Sequence, residues 1–370
     1  MKIIIAPDSF KGSLSAKQAA LCIKNAAMAV YENSCECILM PVSDGGEGFV
    51  DICSTACEGK VITVNVSGPL GRPVDARYMI LNDGSCVIEM AEAAGLTLVN
   101  PSERNPLYTS TYGVGELIKD ALDKNVRRFI VGLGGSATND AGTGALSALG
   151  AVFKDKNGNA LKGCGLNLPK ITSVDLSGFD KRIYESEIIL ACDVDIPLFG
   201  ETGTTLFYSP QKGATEEISH YLEAGMKHFA TISPGSCEHN PGAGAAGGVA
   251  FGLMAYCGAQ KVSGIDAVLD ILGFESKLTD STLVITGEGK IDFQSVQGKA
   301  VSGIGRRALA KGVSVIAFGG IVEADEECLH KMGISKAYEI RGSYSTQYAM
   351  ENASQLLEQK VREVLSRADW

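Results

Sequence analysis

The chain has 370 residues, 45% of them hydrophobic and 21% charged, a balance that excludes a disordered or fibrous protein and leaves room for two domains. A net charge of −10 argues against nucleic acid or an acidic membrane surface as partner. No C-x-x-C pair occurs among the eleven cysteines, and the four histidines share no ligand spacing with them, so the sequence reads as a reduced, cytoplasmic protein without a zinc site.

In chain order, a short apolar run at 3–5 starts the protein with no signal segment before it, and leads to Asp8, Lys11 and Gly12. A helix follows over 16–31: Ser15 and Gln18 have capping-box spacing, and Ala19, Cys22, Ile23, Ala26, Ala27 and Val30 keep helical period. A second run, 38–40, leads to Asp44, Gly45, Gly46 and Glu47, and a helix follows Gly48. From 61 to 90 the pattern alternates, with turns at 68–71 and 82–84, which predicts hairpins and a mixed or antiparallel sheet. The run 129–131, flanked by helices near 114–123 and 143–149, ends in Gly132, Gly134, Gly135 and Ser136. The run 188–190 ends in Asp193 and Asp195. Helices are expected within 216–231 and after the glycines at 242–248. The uncharged stretch between Glu238 and Lys261 holds too few strongly apolar residues for a membrane span, which needs about 20. The strand-helix alternation then returns: run 283–285 leading to Gly287, Glu288, Gly289, Lys290 and Asp292, helix 300–311, strand 313–318, helix 325–332, strand 337–341 and one terminal helix over 346–367.

Short continuous apolar runs indicate fully buried parallel strands, and open α/β sheets bind ligands beyond the carboxyl ends of their strands. The predicted fold is therefore α/β with two domains. A Rossmann-like, doubly wound parallel sheet is built from 1–60 plus 282–370, and a mixed-sheet α/β domain, 61–281, is inserted in it. Residues 105–150 could belong to either. Glycines at the strand ends suggest close backbone approach to a phosphate-bearing ligand. Lys11, Arg72, Lys212, Lys290 and Lys299 concentrate positive charge in these glycine-rich segments.

No G-x-x-x-x-G-K-[ST] or protein-kinase motif occurs, and no histidine lies in a glycine-rich segment, which weighs against a Ser-His-Asp hydrolase. Two dinucleotide-type spacings do occur, Gly132/Gly134/Ala137 and Gly242/Gly244/Gly247. They leave an NAD-dependent oxidoreductase of a small hydroxy acid as the alternative function, although no acidic residue ends a strand about 20 residues on. Both read better as anion-binding loops at helix N-termini, or as glycines needed for packing.

Ten segments appear in order: APDSFKGSLSA (6–16), SDGGEGF (43–49), SGPLGRPV (67–74), EMAEAAGL (89–96), TSTYGVGELI (109–118), GLGGSATNDAGTGAL (132–146), ACDVDIPLFG (191–200), SPQKGA (209–214), GAGAAGGVAFGL (242–253) and TGEGKIDFQSVQGKA (286–300). Together they resemble the bacterial glycerate kinase family that lacks a P-loop. The small departures, Val42 and Ser43 before Asp44 and Lys290 where arginine is also common, are conservative. The resemblance implies transfer of the ATP γ-phosphoryl group to a hydroxyl of D-glycerate with Mg²⁺, with 2-phosphoglycerate favoured over 3-phosphoglycerate.

Phosphoryl transfer needs positioning, charge neutralisation and a partner for the acceptor's proton. On the substrate side the candidates are Asp8, Ser9, Lys11, Arg72, Ser136 and Asn139. Arg72 could equally be a surface turn residue. Gly45, Gly46, Gly134, Gly135, Gly287, Gly289 and Gly319 would let backbone approach the nucleotide. Lys290 would neutralise phosphate charge, and Asp292 and Asp44 would hold the metal. Asp193 is the candidate base, or else a helix cap; Asp140 could cap the following helix.

Overall fold

The structure is a computed structural model that describes every residue except Asp44, Glu47, 297–299 and 368–370. The chain divides into two compact units: Met1–Asp44, Asp51–Cys57 and Ile265–Trp370 form the first, Gly45–Val50 and Glu58–Gly264 the second. Residues 105–150 lie in the second. Among the described residues no helix is long and apolar enough to cross a membrane.

The first unit carries a five-stranded, wholly parallel sheet in the order Lys336–Glu339, Ser314–Val322, Leu283–Ile291, Lys2–Ile5, Glu36–Leu39. Counted along the chain this is 2-1-3-4-5, the doubly wound order whose switch point falls between the first and third strands, Lys2–Ile5 and Leu283–Ile291. Period-two alternation sends Ile3, Ile5, Leu283, Ile285, Ile316 and Phe318 to one face, where they share a core with the helices Ala16–Tyr31 and Ala353–Arg367. Ile4, Val284, Val315 and Ala317 are equally buried and so serve the other face, which the helix Ala300–Ala310 reaches. The capping box of the first helix is present: Gln18 N donates to Ser15 Oγ and Ser15 N to Gln18 Oε1. The expected single terminal helix is instead two, Thr346–Glu351 and Ala353–Arg367, broken at Asn352, whose ψ of 17° is off helical.

A second departure bears on the site. The strands Leu283–Ile291 and Ser314–Val322 run on through their glycines, so Gly287, Gly289, Lys290 and Gly319 stand in paired strand and not in loops beyond it. The glycines make that continuation possible. A Cβ on Gly287 would strike Phe318 O, and one on Gly320 would lie 2.5 Å from Gly289 O.

The second unit carries a six-stranded mixed sheet: Gln260–Val262, Glu187–Ala191, Arg128–Gly132 and Cys86–Glu89 run parallel, and Pro73–Leu81 and Gly59–Ser67 continue antiparallel as the hairpin read from the alternation. A separate three-stranded antiparallel sheet of Ala160–Leu161, Val152–Lys154 and Ser173–Asp175 flanks it.

Candidate functional site

In the first unit the switch point gathers several of the expected residues. Asp8 N donates to Gly287 O at 2.9 Å, so the loop after the first strand lies along the third. Lys11 N would be 3.3 Å from a Cβ on Gly289. Ser9 and Lys11 are exposed there, and Asp8 Oδ1 accepts from Ser9 N at 2.5 Å. On the third strand Lys290 Nζ reaches Glu323 at 2.9 Å and Asp292 at 3.4 Å, and these carboxylates, Glu323 foremost, raise its pKa and keep it charged. Asp292 is nearly buried, and its N–H donates to Ser295 Oγ, whose hydroxyl donates to Glu288 Oε1 at 2.6 Å. Glu288 is therefore tied through one hydroxyl to the main chain of Asp292, a link the sequence reading did not assign. Asp44 lies outside the described residues, as does Lys299. Among the described residues no group of three or more His, Cys, Asp or Glu could hold a metal ion by itself.

In the second unit the loop 133–139 leaves the strand Arg128–Gly132 against the Gly45–Gly46 turn. A Cβ on Gly132 would collide with Gly45 O, and one on Gly134 with Gly46 Cα; Gly135 has φ +71°. Backbone crowding thus explains Gly132 and Gly134 without a ligand, whereas Gly135 needs its bare Cα for conformation. Ser136, Thr138 and Asn139 do not start a helix. The helix Thr143–Ala148 begins further on, and its first turn is already satisfied by Asp140. The Asp140 carboxylate is wholly buried and accepts from Thr111 N, Thr111 Oγ1, Gly142 N and Gly144 N at 2.8–3.2 Å. Burial pushes its pKa up and these donors pull it down. With only donors around it, the group serves as an acceptor-only carboxylate.

Lys212 is the residue the sequence reading left without a role. It is 4% exposed, and its Nζ donates to Ser136 Oγ at 2.9 Å and Thr138 O at 2.7 Å. Burial lowers its pKa to about 8. Thr138 Oγ1 and Asn139 Oδ1 are buried with no partner. The glycines at 242–248 support this segment from behind: Ala141 N donates to Gly247 O, and a Cβ on Gly247 would strike Thr138 O. Close packing accounts for the glycines of that second pattern.

Asp193 follows the strand Glu187–Ala191 as expected, and its Oδ1 accepts from Ser263 Oγ and Gly264 N, both at 2.7 Å. The capping geometry is thus real. Arg72 is 68% exposed at its side chain and spends both arms of its guanidinium on Glu103, at 2.6 and 3.0 Å.

Parallel strands whose carboxyl ends present cations, carboxylates and bare-backbone glycines define an α/β enzyme that handles anionic ligands. Comparison with known proteins narrows that class. The model of the glycerate kinase family matches residues 3–369. Glycerate kinase of Bacillus subtilis (strain 168) is 42% identical over 370 residues, 98% of this chain and 97% of its own. Glycerate 2-kinase of Escherichia coli (strain K12) is 41% identical over 351 residues, 94% of this chain and 92% of its own. A crystal structure provisionally assigned as glycerate kinase 2 of Salmonella typhimurium LT2 superposes with a TM-score of 0.85 at 40% identity, covering 100% of this chain and 98% of that one. The chain belongs to the glycerate kinase family. The oxidoreductase alternative finds no support in these matches.

Proposed function

We propose that this protein transfers the γ-phosphoryl group of ATP to a hydroxyl of D-glycerate, with Mg²⁺, giving phosphoglycerate and favouring the 2-phosphate. The observation that carries the reading is the match of nearly the whole chain to proteins named glycerate kinase, among them a glycerate 2-kinase. The geometry is compatible with it. At the switch point of the first unit, Lys290 offers a charge for phosphate oxygens, and Asp292, whose main chain is tied through Ser295 to Glu288, would offer carboxylate oxygen to a cation. One or two carboxylates are what Mg²⁺ takes from a protein when phosphates supply the rest of its shell, so the donor set fits. When bound, the ion would neutralise charge on the phosphoryl oxygens.

The remaining roles fall to the chain itself. Lys11 and Ser9, on the loop beside Gly287 and Gly289, would orient an anion at the same edge. Asp193, whose Oδ1 is held by Ser263 and Gly264, would take the acceptor's proton, and its fixed orientation is what a positioned base requires. Ser136 offers a hydroxyl to the acceptor. An ADP-release assay with and without D-glycerate tests the reading, and NMR of the product assigns the phosphate position. ADP release that is independent of the acceptor, or equal with L-lactate, would refute it.

A further inference from the structure

A buried lysine with no carboxylate partner needs an explanation. Removing an ammonium from water is costly unless it is paired or fully hydrogen-bonded. Among the described residues no acidic oxygen lies within ion-pair distance of Lys212; the charge it feels is Asp140, buried and turned to its own four donors. Its two acceptors are neutral, Ser136 Oγ and Thr138 O, which leaves one of its three N–H groups unused. A second cation nearby is also uncompensated: the backbone of Arg104 abuts Gly213, and Arg104 Nε is buried with no partner.

The bond to Ser136 has a directional consequence. An ammonium can only donate, so Ser136 Oγ must accept from Lys212, and its own proton must point elsewhere. No acceptor for that proton exists in the described chain, and Ser136 is only half-buried. Beside it, the N–H groups of Gly134, Gly135 and Ser136 donate to no group of the described chain, while Gly135 O and Ala137 N are used in pairing with Leu96 and Ala94. The result is a set of unused donors on partly exposed residues, backed by a buried positive charge, a site with the polarity of an anion receptor.

We propose that Lys212 is a positioning residue which locks Ser136 as a hydrogen-bond donor, and that the Gly134–Ser136 donors receive the carboxylate of the small hydroxy-acid acceptor. This rests on the kinase reading above. A phosphoryl oxygen of the nucleotide has the same chemistry and is the competing source. Lys212 acts through Ser136 and holds the acceptor.

The test uses the full chain and two readouts, calorimetric binding of D-glycerate and of ATP, and steady-state turnover. Lys212→Met and Ser136→Ala should each weaken D-glycerate binding by about tenfold or more, as loss of a charge-assisted bond requires, with ATP affinity unchanged. The double variant should be little worse than either single one, because the two act as one relay. In the wild type the glycerate KM should rise as pH passes about 8 and Lys212 loses its proton, and that rise should vanish in Lys212→Met. If Lys212→Met does not fold, Ser136→Ala and the wild-type pH profile decide. Unchanged glycerate affinity in Ser136→Ala, or weakened ATP binding alone, overturns the inference and leaves the kinase reading standing. Lys212-dependent binding of D-glycerate without turnover would sustain the inference and sink that reading; no binding of D-glycerate by the wild type would sink both.

Discussion

Asp140→Asn removes one charge and one acceptor from a wholly buried carboxylate of the second unit. Oδ2 accepts three donors, Thr111 N, Thr111 Oγ1 and Gly144 N, and Oδ1 accepts Gly142 N. An asparagine can place its carbonyl oxygen at the Oδ2 position and keep three of the four. Its NH₂ then faces Gly142 N, donor against donor, and one buried N–H is orphaned at a cost of about 1–3 kcal/mol. The three surviving bonds lose their charge assistance, which is worth roughly half of each. Thr111 cannot relieve this by turning, because its Oγ1 already accepts from Ala145 N at 2.9 Å. Relief from desolvating a charge works the other way. The expected net loss is about 3 kcal/mol in urea unfolding at pH 7, with hydrogen exchange accelerated first at the amides of Thr111, Gly142 and Gly144. Stability within about 0.5 kcal/mol of the wild type, with exchange at those three amides unchanged, would refute the claim that Asp140 satisfies the first turn of the helix Thr143–Ala148.

Asp193→Asn should lower kcat toward the smaller end of the 10²–10⁴-fold range for a positioned base, with both KM values nearly kept. Stability should barely change, because Asn Oδ1 still accepts from Ser263 and Gly264; a near-normal kcat would place the base elsewhere. Gly134→Ala drives a Cβ into Gly46 Cα and should cost about 1–3 kcal/mol by overpacking; an unchanged melting temperature would show that the two backbones can separate freely. Lys212 has its folded pKa lowered to about 8, below the unfolded value of 10.5, so the unfolded chain binds more protons between those pH values and stability rises with pH across them. The unfolding free energy of the wild type relative to Lys212→Met should therefore grow from pH 8 to 10, by at most about 1.4 kcal/mol per pH unit. A flat difference would mean that the ammonium is solvated.

Much of the first unit was legible in the residues alone. Buried parallel strands are continuous apolar runs, and 3–5, 283–285 and 313–318 are such runs. The Ser15/Gln18 box fixes the start of the first helix locally, within four residues. The ten ordered segments sufficed to indicate the family, because a motif is a property of sequence and needs no geometry. They could not tell a glycine that bares backbone for a ligand from one that bares it for a neighbouring strand. Gly287, Gly289 and Gly319 looked like loop residues until pairing with the adjacent strand was visible, and Gly132 and Gly134 until the Gly45–Gly46 turn lay against them. The interior of the second unit was beyond the sequence for the same reason. Asp140 meets Thr111 across 29 residues and Lys212 meets Ser136 across 76. Periodicity and capping rules act over a few residues, and burial of a charge is decided by where the whole chain closes over it. The sequence by itself determined the buried parallel strands of the first unit, the start of its first helix and the family; only the tertiary structure decided how far the strands run, which charges are buried and what satisfies them.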